Sequence, residues 1–308
     1  MLVSVVIPAR NMARYLPLAI ESVLSQSCTS WDLHVVDDGS TDHTPDVVRR
    51  YLTDPRVHYW TQPNQERAVA RNKGIGCSAG EYIAFLDADD LWQPDKLSKQ
   101  IAILDRDRSA ALCYTHARYI DSEGRPLTAE KHLAAREGKV LPELIRGNFI
   151  PVSSAVVRKQ ALDSVGFFDT DARLIGAEDW DLWLRIAAAF PIRLAPEELT
   201  LYRVHNTPRS HRQILNGALA VVRKQFSSPE FAVKAGLTEA AAEACAYLSS
   251  AGFASPAVTR PERLKLLLKA VSIAPTSILS SSGFLASARV ALPSRLVAML
   301  KRITPLLN

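Results

Sequence analysis

The sequence predicts an α/β fold, a doubly wound and mostly parallel sheet flanked by helices and followed by a helical extension. Three observations predict it. Short apolar runs alternate with helical stripes through the first ninety residues, acidic turns follow two of those runs, and from about residue 215 everything reads as helix. Residues 2–7 are a nearly unbroken apolar run, as a strand covered on both faces requires, and Pro8 ends it. Tyr15, Leu16, Ala19, Ile20, Val23 and Leu24 then share one helical stripe. A second strand, residues 33–36, stops at Asp37-Asp38-Gly39-Ser40, and Val47, Val48, Tyr51 and Leu52 mark the next helix. Residues 57–60 read as a third strand, 68–75 as a helix and 82–86 as a fourth strand. Ligands of such sheets sit beyond the carboxyl ends of the strands, where the acidic turns lie.

Past residue 90 the pattern is less regular, with strands expected at 111–114 and 155–157 and a helix through Trp180, Trp183, Leu184, Ala187 and Phe190. Thr259, Pro261 and Glu262 form a helix start of the capping-box type. These signals place a domain at 1–212, with halves 1–110 and 111–212, and a basic helical extension at 213–308.

With 308 residues, 47% hydrophobic and 22% charged, the chain has ordinary globular usage, which excludes a disordered, collagen-like or multi-span membrane protein. Four cysteines without a C-x-x-C spacing exclude a zinc ribbon and a disulfide scaffold. Met1 runs into the first strand with neither a basic segment nor a small-residue cleavage site, so no secretory leader is expected and the expected location is cytoplasmic. The net charge of +5 is uneven, because residues 260–308 hold eight Lys and Arg against Glu262 alone and the first 259 residues are left at −2. A basic excess confined to a Leu/Ala/Ser-rich tail points to an anionic surface rather than nucleic acid.

Asp87-Ala88-Asp89-Asp90 follows an apolar strand, and strand alternation would put Asp87 and Asp89 on one side about 7 Å apart. Such carboxylates repel unless a cation lies between them, and oxygen ligands suit Mg2+ or Mn2+. Acidic loops also end strands as plain surface turns, and Asp38 or Asp42 can simply cap the next helix. Two acidic strand ends facing one crevice favour the cation.

Six ordered blocks carry a wider pattern: Ser4-Val5-Val6-Ile7-Pro8-Ala9-Arg10-Asn11, Tyr15-Leu16, Glu21 to Ser27, Val35 to Asp42, Ala70-Arg71-Asn72-Lys73-Gly74-Ile75 and Gly80 to Asp90. Gly166-Phe167-Phe168-Asp169, Glu178-Asp179-Trp180-Asp181 and Tyr202-Arg203-Val204-His205 continue it. In order and spacing the sequence resembles the family 2 inverting glycosyltransferases of the GT-A fold over roughly residues 1–210. The resemblance implies a nucleotide-diphosphate sugar donor (UDP-, GDP- or dTDP-linked), a divalent cation and single-displacement transfer to a saccharide or lipid-linked acceptor, in cell-surface polysaccharide, lipopolysaccharide or glycolipid assembly. It implies that Pro8, Ala9 and Arg10 line the base pocket, that Asp38 accepts a hydrogen bond from the base, and that Arg71 lies near the diphosphate or base. Asp87 and Ala88 would face the ribose and metal, Asp89 would be the main metal ligand, and His205 would reach the metal or diphosphate. Asp179 would be the general base, with Glu178 sharing or orienting the role.

Glu178 and Asp179 open a helix, whose dipole is expected to lower the carboxylate pKa of the base. Trp180 and Trp183 read as a core ridge, with Trp180 close enough to the base to touch an acceptor, and Ser153-Ser154 as acceptor lining. The Gln-x-x-Arg-Trp motif of processive synthases is absent, which points to single addition. A nucleotidyltransferase is disfavoured because the turn after the first strand contains no glycine, and an inactive binding module because the acids are intact. In the tail, the nineteen uncharged residues 270–288 include Pro275 and six serines, too polar for a spanning helix. The tail is expected to lie peripherally on an anionic membrane face, inserting Leu266, Leu267, Leu268, Leu296, Met299 and Leu300, or else to cap the catalytic domain.

Overall fold

A computed structural model describes residues 3–127, 136–205, 211–252 and 259–275. The chain forms two compact units, one of residues 1–140, 149–170 and 178–206, the other of 141–148, 171–177 and 207–308.

The first unit holds an eight-stranded sheet. Its strands are β1 (Val3–Ala9), β2 (Trp31–Asp37), β3 (Val57–Thr61), β4 (Tyr82–Phe85), β5 (Leu91–Trp92), β6 (Leu112–Ile120), β7 (Val156–Arg158) and β8 (Ile192–Arg203), in the order β3-β2-β1-β4-β7-β6-β8-β5. β1 pairs in parallel with β2 and β4, and β2 in parallel with β3. β7 runs antiparallel between β4 and β6.

Every residue of β1 is buried, because both faces of the sheet are covered. On one face Val3, Val5, Ile7 and Ala9 join Leu16, Ala19, Ile20 and Val23 of α1 (Leu16–Leu24) in the main core. On the other, α3 (Glu66–Cys77) approaches so closely that a Cβ on Gly74 would lie 2.4 Å from Val6 Cγ1, which fixes the depth at which this helix presents Arg71. In the chain between them, α2 (Thr44–Arg49), which packs with α1, is shorter than its apolar spacing predicts. Tyr51 falls beyond its end and donates its hydroxyl to Glu21 Oε1.

The second half of the sheet departs further from expectation. β6 continues six residues past Tyr114, and β8, a twelve-residue strand, is not predicted at all. The two pair in parallel with register shifts around His116, opposite the Pro196-Glu197-Glu198 interruption that hides β8 in the sequence. α4 (Lys96–Arg106) follows β5. α6 (Lys159–Val165) and α7 (Glu178–Ala189) complete the unit. Trp183 is fully buried on α7, packed on Phe85 and Phe168, with its indole N–H donated to Ile150 O, so it is core as its spacing predicts. Trp180 is buried as well.

The second unit consists of α5 (Leu141–Leu144), a 3-10 turn at Ala172–Leu174, α8 (His211–Phe226), α9 (Pro229–Ala235), α10 (Glu239–Gly252) and α11 (Arg260–Ile273). Glu262 accepts the Thr259 backbone N–H at 2.8 Å, the capping pair expected from sequence. Leu267 and Ala270 of α11 pack on Ala241, Ala244 and Leu248 of α10. Leu267 is therefore not available to insert into a membrane. The exposed stripe of α11 is instead Leu264 and Leu268 beside Lys265 and Lys269. The rest of the basic tail, including Arg289, Arg295, Leu296, Met299, Leu300, Lys301 and Arg302, lies outside the described residues. No described helix is long and apolar enough to cross a membrane.

Candidate active site

The carboxyl ends of β1, β2 and β4 lie side by side, so the loops that follow them open onto one edge of the sheet. After β1, Pro8 and Ala9 are buried and Arg10 is exposed. Ala9 O accepts the Asp38 N–H at 2.8 Å, which joins this loop to the acidic turn after β2. Asp38 Oδ1 accepts from Gln62 Nε2 at 2.7 Å and from Gln65 N–H at 2.8 Å, whereas Asp42, not Asp38, accepts the Thr44 N–H at the start of α2. Asn11 adopts a left-handed conformation with φ 54°, and its Oδ1 accepts the Thr41 N–H, clasping the two loops together. Non-glycine residues hold that conformation only where their surroundings fix it.

The turn after β4 differs from the extended geometry expected. The strand ends at Phe85 and the chain turns, with Asp90 N–H donating to Asp87 O at 3.1 Å. This brings in a third acid, and carboxylate oxygens of Asp87, Asp89 and Asp90 all lie within 4.8 Å of one another. Each has a different environment. Asp87 would be raised by burial, but the charges of Arg71 and Arg67 overcome that and hold it below the usual carboxylate range. Asp89 is raised by burial and by Asp87, against a hydrogen bond to His205. Asp90 is raised well above its ordinary value by burial and by Asp89 and Asp87.

Both oxygens of Asp90 have internal donors, the Arg203 N–H on Oδ1 at 2.8 Å and the Ser153 hydroxyl on Oδ2 at 2.5 Å. Ser153 Oγ also accepts the Asp87 N–H, so this serine supports the acidic loop instead of lining an acceptor surface. Three crowded carboxylates, two of them disfavoured as anions, are the hard-oxygen donor set that a divalent cation relieves. The donor set fits such a cation, which Asp89 and Asp87 could hold.

Arg71 is the hub of the site. Its side chain is 1% exposed, its Nη2 donates to Asp87 Oδ1 at 2.7 Å, and its Nη1 donates to Glu178 Oε1 at 3.1 Å. Arg67, one helical turn earlier on α3 and 39% exposed, approaches the same two acids at 4.0 and 3.8 Å. Glu178 is thus buried as a counterion. The adjacent Asp179 is half-buried and its carboxyl is pushed up to about 7 by burial, then by the Glu178 charge, against the pull of Arg71. The expected lowering by the helix dipole is reversed, since desolvation and a neighbouring anion outweigh an effect of about 0.3–1 kcal/mol.

Arg203, at the end of β8, lies in the Tyr202–His205 block but carries no role in the family resemblance. Its Nε donates to Asp89 O at 2.7 Å, its Nη1 to Asp121 O and Ser122 O at 2.9 and 3.3 Å, and its guanidinium lies 4.8 Å from the centre of the Tyr15 ring. Two residues on, His205 Nε2 lies 2.7 Å from Asp89 Oδ2 and its ring meets Tyr15 edge-on. Among the residues sequence singled out, Pro8, Ala9, Arg10 and Asp38 thus form one group, and Arg71, Asp87, Ala88, Asp89, Glu178, Asp179 and His205 another. Arg67, Asp90 and Arg203 are additions. Only the Arg203 fork makes all of these carbonyl contacts, and unsatisfied buried groups cost about 1–3 kcal/mol each. Arg203→Lys is expected to weaken Mn2+ binding at least tenfold, measured from the free-ion signal in electron paramagnetic resonance, with the far-ultraviolet spectrum unchanged.

With this geometry in view, comparisons with known proteins are specific. The model of the glycosyl transferase family 2 matches residues 4–166. TuaG of Bacillus subtilis (strain 168), assigned by name to teichuronic acid biosynthesis as a glycosyltransferase, is 33% identical over 187 residues, covering 60% of this chain and 71% of that protein. An uncharacterised glycosyltransferase of Rickettsia felis is 32% identical over 204 residues, and there the match covers 66% of this chain and only a third (33%) of the relative. Among solved structures, residues 1–349 of S. aureus TarS superpose with a TM-score of 0.65 at 17% identity, over 99% of this chain and 90% of that one. A mannosyltransferase of Pyrobaculum calidifontis, solved with GDP-Man and Mn2+, superposes with a TM-score of 0.59 at 18% identity over 98% and 86%. The shared fold is the GT-A fold.

Proposed function

The chain belongs to glycosyl transferase family 2, and from that membership we propose an inverting, metal-dependent transfer of one sugar from a nucleotide-diphosphate donor to an acceptor hydroxyl. One observation carries the reading. A single buried guanidinium, Arg71, is bonded to both Asp87 of the acidic loop and Glu178 beside Asp179, so the cation-binding acids and the candidate base are parts of one charge network.

In this reading Asp179 takes the acceptor proton as the acceptor oxygen attacks the anomeric carbon from the face opposite the diphosphate, which inverts the configuration. A base near 7 is matched to operation at neutral pH, and Glu178 orients the segment through its bond to Arg71. Pro8, Ala9 and Arg10 line the nucleobase pocket and Asp38 accepts from the base, while Asp87 and Ala88 face the ribose. Mg2+ or Mn2+, held by Asp89 and Asp87 with His205 alongside, supplies when bound the positive charge that offsets the leaving diphosphate. Arg67, exposed beside the same acids, can approach that diphosphate directly, whereas buried Arg71 acts through Asp87. The donors bound by structural neighbours, UDP-GlcNAc and GDP-Man, support a UDP- or GDP-linked sugar here. The relative assigned to teichuronic acid supports an acceptor in cell-surface polysaccharide assembly. Residues 1–212 would constitute the transferase domain. The 213–308 extension, with Leu264, Lys265, Leu268 and Lys269 outward, would lie on an anionic membrane at the cytoplasmic face.

Asp89→Asn is expected to abolish metal-dependent release of nucleoside diphosphate from a donor panel with Mn2+, a loss of orders of magnitude. Full turnover by that variant, or by the parent protein in excess chelator, rejects the cation role. Asp179→Asn should cut transfer by about 10²–10⁴ with donor affinity near that of the parent. Because the deprotonated form is the active one, the parent rate should fall tenfold per unit as pH drops below about 7. A limb near the ordinary carboxylate value of about 4 overturns that prediction. For the extension, co-sedimentation with anionic vesicles should weaken as salt rises and vanish on truncation at Arg260, each basic residue contributing about 1 kcal/mol; binding that ignores lipid charge refutes it.

A further inference from the structure

The second unit contains a groove of about 650 Å3, formed between the 3-10 turn at Ala172–Leu174 and one face of α8. That volume falls within the roughly 300–1,000 Å3 of small-molecule sites. Its polar lining is Arg173 on one wall and Arg212, Gln213, Asn216 and Arg223 on the other, with no acidic residue. The α8 residues recur at helical spacing, so they project as one row. The two walls are held at close range, since a Cβ on Gly217 would lie 3.2 Å from Ile175 O and any side chain there would push them apart.

The charges are arranged for a ligand. Asp171 takes the Nε and Nη2 of Arg173 at 2.9 and 2.5 Å, and Glu243 takes the Nε of Arg223 at 2.7 Å. Neither acid lines the groove, so both act as outside partners that fix the direction of a guanidinium. Arg212 sits in the first turn of α8, which has no acidic residue, and there its charge adds to the positive end of the helix dipole instead of offsetting it. Planar guanidinium forks match carboxylate and phosphate oxygens two at a time, and the amides of Gln213 and Asn216 are suited to hydroxyls because they both donate and accept.

We propose that this groove binds a saccharide bearing carboxylate or phosphate groups, as the charged acceptor chain. The inference rests on the transferase reading for the word acceptor, and on the groove alone for the anionic saccharide. The donor-binding residues proposed above all belong to the other unit. In the chain Ile175 precedes Asp179 by four residues.

The test uses the full chain and three probes in isothermal titration calorimetry: trigalacturonate, a glycerol-phosphate trimer and neutral maltotriose. At least one anionic probe should bind tenfold or more tightly than maltotriose, and less tightly as salt rises. The exposed double variant Arg212→Gln/Arg223→Gln should lose that preference at unchanged melting temperature, and Arg212→Lys should keep part of it. Metal-dependent hydrolysis of the donor without acceptor is measured on the same samples and should be equal in parent and variant. Equal binding of charged and neutral probes, or anionic binding that survives the double variant, overturns the proposal. Absent donor hydrolysis in the parent refutes the transferase reading instead and leaves the binding result to be judged by itself.

Discussion

The site depends on one ion pair network, the Arg71 guanidinium buried between Asp87 and Glu178. A buried cation between two anions is retained only when its geometry and hydrogen bonding are good, because desolvation opposes it throughout. Here the arrangement sorts four carboxylates by protonation behaviour. Asp87, touched directly, stays low, whereas Asp89, Asp90 and Asp179 all rise. Removing Arg71 would take away the direct hydrogen bonds it gives to Asp87 and Glu178 and leave them the more distant, part-exposed Arg67, so the buried guanidinium sets much of the charge the pocket presents.

Much of this was legible in sequence. β1 to β4 and α3 were readable because the strands are covered on both faces and their apolar runs announce themselves, and the acidic turns fell at strand ends as parallel topology requires. β8 was not legible, since its Pro196-Glu197-Glu198 interruption removes the periodic signal just where the register shifts. The separation of Asp87 from Asp89 was misjudged because strand geometry was extended beyond Phe85, where a turn gathers Asp90 as well. The direction of the Asp179 shift was misjudged because local helix electrostatics can be read from sequence and burial cannot. The roles of Arg203 and Ser153 were hidden for a related reason, that each acts on a backbone or side chain more than sixty residues away. The Arg groove is invisible for the same cause, since Arg173 joins Arg212 and Arg223 only in the folded unit.

A division of labour runs along the sheet edge. The turns after β1 and β2 are clasped mainly by backbone N–H groups donating to side-chain oxygens of Asn11, Asp38 and Asp42, all neutral or singly charged contacts. The turn after β4 is held by charge instead, through Arg71, Arg203 and His205. In the proposed transferase the first group would give a fixed shape for the nucleobase, and the second would hold the charge that changes during transfer.

The reach of Arg203 and His205 bears on how the protein acquires its fold. The acidic loop is closed by contacts spanning 113 and 116 residues, and Arg71 meets Glu178 across 107. At ribosomal rates of about 5–20 residues per second, several seconds separate the emergence of Asp87 from that of its last partner. Through that interval the amino-terminal strands can pair, but three neighbouring carboxylates have no cationic anchor from β8, and loop closure over such distances is slow. Closure of the acidic loop by Arg203 and His205 therefore comes late, and a nascent or truncated chain that stops short of β8 would hold these acids with Arg71 and Ser153 but without their last partners.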